Sequence, residues 1–155
     1  MHHTHSSIPL TWRLMRWLNP RAATNFRKGI GPAGMVLLLT TTGRKSGLAR
    51  VTPLQYELVD GAYYVASARG AQADWFRNLQ ASPNVQIEVT GRSLPGVAEA
   101  ITDPGRIAEF LEMRIKKHPL SLGLLMRLEG LPLRHSRQEL ERFAAAKALA
   151  AIRPA

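Results

Sequence analysis

The sequence predicts a mainly β, α+β domain: an antiparallel sheet curled into a barrel, with helices at the N-terminus and around the periphery. Three observations predict it. Apolar residues recur at short strand spacing between residues 35 and 102 rather than at helical spacing. Turn pairs, Asp60-Gly61 and the Gly91 region, separate neighbouring runs closely enough for hairpins. Only one helical stretch interrupts these runs, so long parallel crossovers have no room.

The elements follow in order. Residues 1–8, beginning "MHHTHSS", read as a disordered leader, and residues 9–155 as one domain. "PLTWRLMRWL" sets Leu10, Leu14, Trp17 and Leu18 on one face of an amphipathic helix that starts near Pro9 and ends at Asn19-Pro20. "RAATNFRKG" can form a second short helix, stopped by Gly29. "GMVLLLTTT", "ARVTPLQYELVD", "AYYVASA", "VQIEVTG" and "RSLPGVAEAIT" read as strands. Pro53 inside the second of them implies an edge, a bulge or an exposed backbone.

Residues 71–81, carrying Trp75 and Leu79, read as a helix closed by Ser82-Pro83-Asn84. A second helix over "PGRIAEFLEMRIKKH" takes Asp103 as its N-cap and places Ile107, Phe110, Leu111 and Ile115 inward. Residues 119–132 are apolar and broken by Gly123 and Gly130, with no assigned structure. Ser136 and Glu139 form a capping-box pattern, and the helix it opens is expected to run at least to Ala146.

Charge narrows the partners. The chain carries a formal +10 with five Met, no Cys and more Arg than Lys, which excludes thiol chemistry and favours an anionic ligand. No apolar run approaches the ~20 residues that cross a bilayer, and a cytoplasmic location is expected. Trp12 and Trp17 beside Arg13 and Arg16 could rest on an anionic membrane surface. The basic residues are dispersed and no recognition helix or RNA-binding motif accompanies them, so nucleic acid is not an expected partner. His118 and His135 lack metal-ligand spacing, and no metal is expected.

The stretch "TTTGRKSG" raises the central functional question. Gly43 and Gly47 allow a tight turn whose amides, with Arg44, Lys45 and the Ser46 hydroxyl, can cradle an anion. It is no Walker A loop, because the Gly-Lys-Ser order and the following helix are missing. Arg50 lies just inside the next strand and can converge on the same end. "ASARG" offers Ala66, Ser67 and Ala68, small enough to admit a flat ring.

Together, "LLLTTTGRKSGLARVTPL", "YYVASARG" and "DWFRNLQASPNVQIEV" resemble the deazaflavin-dependent nitroreductase family over residues 35–110. The resemblance implies a split β-barrel of about six antiparallel strands, related to FMN-binding barrels, that uses the coenzyme F420. It implies that Arg44, Lys45, Ser46 and Arg50 hold the coenzyme's phosphate and oligoglutamate tail. It likewise implies that Val51, Thr52, Pro53 and Leu54 lie along the deazaflavin ring, with Ala66, Ser67 and Ala68 beside it, and that Asp74, Trp75, Phe76, Arg77 and Asn78 form the closing helix.

Where family members often carry Lys after that Ser, this chain has Ala68, with Arg69 one position on, and it has no Tyr after Tyr64. The implied function is hydride transfer from reduced deazaflavin to an apolar acceptor (quinone, enone or nitroaromatic), with Ser67 orienting the acceptor or relaying a proton. Two alternatives stay open: an FMN-binding split-barrel oxidoreductase, and a non-catalytic carrier of F420 or a lipid-like ligand. A homodimer is implied by the pairing habits of related barrels.

Overall fold

The computed structural model describes residues 30–31, 34–67 and 69–155. The leader, both expected N-terminal helices and Ala68 lie outside the described residues. Seven strands appear in the order β1 (Ile30–Gly31), β2 (Gly34–Thr42), β3 (Ala49–Val59), β4 (Ala62–Ser67), β5 (Asn84–Val89), β6 (Arg92–Ile101) and β7 (Ala148–Pro154). A short 3₁₀ turn, Gly70–Gln72, precedes α1 (Asp74–Ala81), and α2 (Pro104–Lys117), α3 (Ser121–Leu128) and α4 (Arg137–Ala144) lie between β6 and β7.

The strands pair antiparallel as β2-β3-β4-β7-β6-β5, and β5 returns to β2, with Leu39 opposite Ile87, to close the barrel. β1 adds a short hairpin to β2. Both tight turns have left-handed backbone at their two central positions: φ is 49° and 77° at Asp60-Gly61, and 49° and 79° at Thr90-Gly91. That geometry matches the twist of the flanking strands, which is why an Asp-Gly pair sits between β3 and β4.

Alternation sorts the strand residues into two apolar layers. Leu37, Leu39, Tyr56, Val65, Val85 and Ile87 fill the barrel, where α1 contributes Trp75, Phe76 and Leu79. Ile107, Phe110 and Leu111 of α2, with Leu140 of α4, pack against the outer wall on Leu149 and Ala151. α2 is capped as expected, Asp103 accepting from the Gly105 N–H at 3.0 Å. The capping box of α4 also forms.

One expectation fails at the C-terminus. The helix that opens at Ser136 ends at Ala144, and residues 148–154 form β7, a full member of the barrel between β4 and β6. Ala has the strongest helix propensity, so "AAAKALAAI" reads as helix. Tertiary burial overrides it: Ala148, Ala150 and Ile152 face the interior while Leu149 and Ala151 face α2 and α4, so every position is apolar and no alternation shows. The helix expected at 71–81 similarly begins later, at Asp74, behind the 3₁₀ turn.

The barrel is split between β3 and β4. Their ladder runs from Val59↔Ala62 only to Tyr56↔Val65. Beyond it, Gln55 and the residues before it stay on β2, while Ala66 and Ser67 stay on β7. Pro53 is opposite Leu38 of β2 and has no β4 partner, the edge position its ring predicts.

Candidate active site

The loop between β2 and β3 is built from its own backbone. The Gly43 N–H donates to the Leu48 carbonyl and the Gly47 N–H to the Gly43 carbonyl, both at 2.8 Å. The Leu48 N–H donates to Ser46 Oγ at 3.2 Å. A Cβ at Gly43 would stand 2.6 Å from Ser46 Oγ and 3.1 Å from the Leu48 oxygen, so any larger residue has to displace the Ser46 hydroxyl and crowd the Leu48 carbonyl. Gly47, at φ +68°, closes the turn.

Helix α1 then fixes the loop. The Asn78 side chain, 4% exposed, accepts from the Arg44 backbone N–H at 3.2 Å and from its Nη1 at 2.9 Å, and donates to Thr41 Oγ1 at 3.4 Å. Arg44 Nη2 meets Asp74 Oδ1 at 2.9 Å. The hydrogen bond and charge of Arg44, with the charges of Arg77 and Arg69, hold the Asp74 carboxyl below the usual range. Arg44 is therefore committed to the scaffold, whereas among the described residues Lys45 and Arg50 enter no ion pair.

Loop, strand and helix enclose a cleft of about 510 Å³. Arg44, Lys45, Ser46, Arg50, Val51, Thr52, Asp74, Trp75 and Asn78 line it, together with Gly43. With Lys45, Arg50 and the Ser46 hydroxyl on its wall, the cleft has the chemistry to hold a phosphate or carboxylate.

The other predicted residues lie elsewhere. Leu54 packs against the barrel core, Phe76 is fully buried within it, and Arg77 is exposed on α1. Pro53 is exposed at the split. Ala66 and Ser67 line a second, smaller cavity of about 150 Å³, where Gln55 at the split faces Leu111 and Arg114 of α2 and Leu122 and Met126 of α3. Its rim carries Lys147, which pairs with Glu129 at 2.6 Å and lies 4.9 Å from the Phe143 ring centroid.

Sequence reasoning missed a buried charge cluster beside this cavity. Glu57, on the outer face of β3 and 6% exposed, meets Lys117 Nζ at 2.8 Å, His118 Nε2 at 2.9 Å and Arg114 Nε at 3.4 Å. Burial alone would raise the Glu57 carboxyl, but hydrogen bonds from Lys117 and His118 and the charges of Lys117 and Arg114 bring it below its ordinary value. The partners stand 57 to 61 residues away in the chain, so no local motif announces them. His118 keeps the helix-end position expected of it, as the C-cap of α2.

Residues 15–120 match the family model described as F420H(2)-dependent quinone reductase. The chain belongs to that family. An F420H(2)-dependent quinone reductase from Mycobacterium tuberculosis (strain ATCC 25618 / H37Rv) is 39% identical over 71 residues, covering 43% of this chain and 48% of the relative. The chain thus matches about half the length of that curated relative.

A solved F420-H2 dependent reductase (FDR-A) superposes with a TM-score of 0.50 at 21% identity, covering 76% of this chain and 92% of that one. A structure described as a domain-swapped dimer gives 0.51 at 17% identity, covering 90% and 98% respectively. At these identities the likeness shows the fold, the split β-barrel. Among the described residues no helix is long and apolar enough to cross a membrane.

Proposed function

We propose that the protein is an F420-dependent reductase that passes a hydride to an apolar acceptor, a quinone first among them. Family membership supports the reading, and one observation of the site carries it: a cationic cleft and a ring-sized cavity flank the split side of one barrel. Lys45, Arg50 and Ser46 hold the coenzyme's anionic groups, Val51 and Thr52 continue the wall toward the ring, and Trp75 and Asn78 form the helix side. Arg44 and Asp74 tie that helix to the loop.

Reduced deazaflavin, when bound, supplies the hydride, so the protein's task is to position the reactants and exclude water. Ser67, 3% exposed in the cavity wall, orients the acceptor, and solvent supplies the remaining proton. The same proposal includes a cytoplasmic location, contact of residues 9–18 with an anionic membrane surface that dissolves the acceptor, and a homodimer. Charge supports the membrane contact and the domain-swapped neighbour supports the dimer.

The test is a fluorescence titration with F420 and, in parallel, FMN, on wild type and on Lys45→Ala/Arg50→Ala. F420 binding that the double variant weakens tenfold or more, followed by quinone-dependent oxidation of the reduced coenzyme, is the expected result. Equal binding of FMN by both proteins, without F420 binding, overturns it in favour of an FMN barrel. Tight F420 binding without turnover for any acceptor leaves a carrier.

A further inference from the structure

Arg114 is a buried cation that its partner does not fully explain. It is 8% exposed, its guanidinium lies over the Phe110 ring at 5.8 Å from the centroid, and among the described residues its side chain makes one hydrogen bond, from Nε to Glu57 at 3.4 Å. Glu57 already has nearer partners, the Lys117 ammonium at 2.8 Å and the His118 ring at 2.9 Å. A guanidinium carries five N–H groups in a planar fork, and none of the Arg114 nitrogens is both sealed from solvent and unpartnered, so its outer donors are open to an occupant of the cavity. The same side chain lines the cavity at the β3–β4 split.

That cavity has the make-up of a subsite for a flat apolar ring with an oxygen substituent. Leu111, Leu122 and Met126 supply apolar wall, and Ser67 and Arg114 supply hydrogen-bond donors. Lys147 at the rim is engaged by Glu129. The volume of about 150 Å³ suits one ring, since an apolar cavity of roughly that size accepts benzene.

We propose that Arg114 receives the carbonyl oxygen of a quinone in this cavity and stabilises the negative charge that develops on that oxygen during reduction. The inference rests on the quinone-reductase reading above. The quinone gains two electrons and one proton as hydride from the reduced deazaflavin, which is oxidised, and takes a second proton from water to become the hydroquinone. Arg114 gives up no proton, because guanidinium stays charged at all working pH values. It contributes a fixed positive donor aimed at the oxygen on which charge develops.

The test needs no coenzyme in its first arm. 4-Nitrophenol, whose phenolate is yellow and whose phenol is not, serves as an oxyanion probe for the full chain. Wild type is expected to bind the phenolate in preference, moving the bound probe's titration to lower pH. Arg114→Met abolishes that preference, and Arg114→Lys, which keeps the charge without the fork, retains part of it. In the second arm, Arg114→Met lowers kcat/KM for a water-soluble quinone by about 10²–10³, the usual cost of an oxyanion donor, while the F420 dissociation constant stays within twofold.

Glu57→Gln removes the ion-pair partner but keeps Arg114, and is expected to retain the phenolate preference. An unchanged preference in Arg114→Met, or equal loss in Glu57→Gln and Arg114→Met, overturns the proposal. If Arg114→Met does not fold, loss of the preference in a folded Arg114→Lys, with no change in quinone kcat/KM, overturns it instead. Arg114-dependent phenolate binding in a wild type that turns over no quinone leaves the oxyanion site standing and overturns the reductase reading.

Discussion

Asn78 on α1 grips Arg44 twice, through its backbone N–H at 3.2 Å and its guanidinium at 2.9 Å. The loop that lines the cleft is thereby held by a helix 30 or more residues away in sequence. Asn78→Leu leaves the part-buried Arg44 N–H and the buried Thr41 hydroxyl without that partner, at a cost of up to about 1–3 kcal/mol for each group left unsatisfied. The expected result is a lower urea midpoint together with weaker F420 binding, measured on the same preparation.

Arg44 and Lys45 are adjacent but should behave differently. Arg44→Ala removes the ion pair to Asp74 and one Asn78 contact, so it loosens the scaffold as well as the cleft. Lys45→Ala should leave the melting temperature within about 1 °C, because exposed charges contribute little to stability, and should weaken F420 binding by an amount that shrinks as salt rises. Titrations at two salt concentrations, beside thermal melts, separate the two residues. Matching losses of stability in both variants would refute the division of labour.

Acid stability should report Glu57. Its carboxyl titrates lower in the folded protein than in the unfolded chain. The stability it contributes is therefore whole above the unfolded value of about 4.3 and is lost as pH falls through the folded value. Glu57→Gln should lower stability at pH 7, at or below the lower end of the roughly 3–5 kcal/mol found for broken buried pairs, since Lys117 remains half exposed. The variant should also show a flatter decline in acid, read from urea midpoints between pH 3 and 7.

The interior of β7 has no room for larger side chains. Ala150, opposite Val65 and Ala100, is fully buried. Ala150→Leu should cost about 1–3 kcal/mol by overpacking, a drop of roughly 2–12 °C in melting temperature for a chain of this size. Ala155→Leu, at the exposed C-terminus, is the neutral control.

How far the sequence could be read follows from where each signal resides. The β2–β3 loop was legible because glycine placement, cations and strand patterning are local, and nine of the residues that the resemblance implied do line one cleft. β7 was not, since a strand buried on both faces loses its alternation and its alanines read as helix. Phe76 was assigned to the ligand with its neighbours, yet helical spacing turns it into the core while Trp75 and Asn78 reach the cleft. The Glu57 cluster joins β3 to the end of α2, and only the fold brings those segments together.

The parting of β3 from β4 also bears on how safely this protein can wait without a ligand. A closed barrel offers no strand margin to a second chain, but this one leaves two short margins where the β3–β4 ladder ends. Pro53 interrupts the run of backbone donors along one of them, which makes β3 a poor template for an incoming strand. The residue that marks the opening in the sequence thus doubles as a guard against strand addition at that edge, and an aggregation assay on Pro53→Val would read that protection directly.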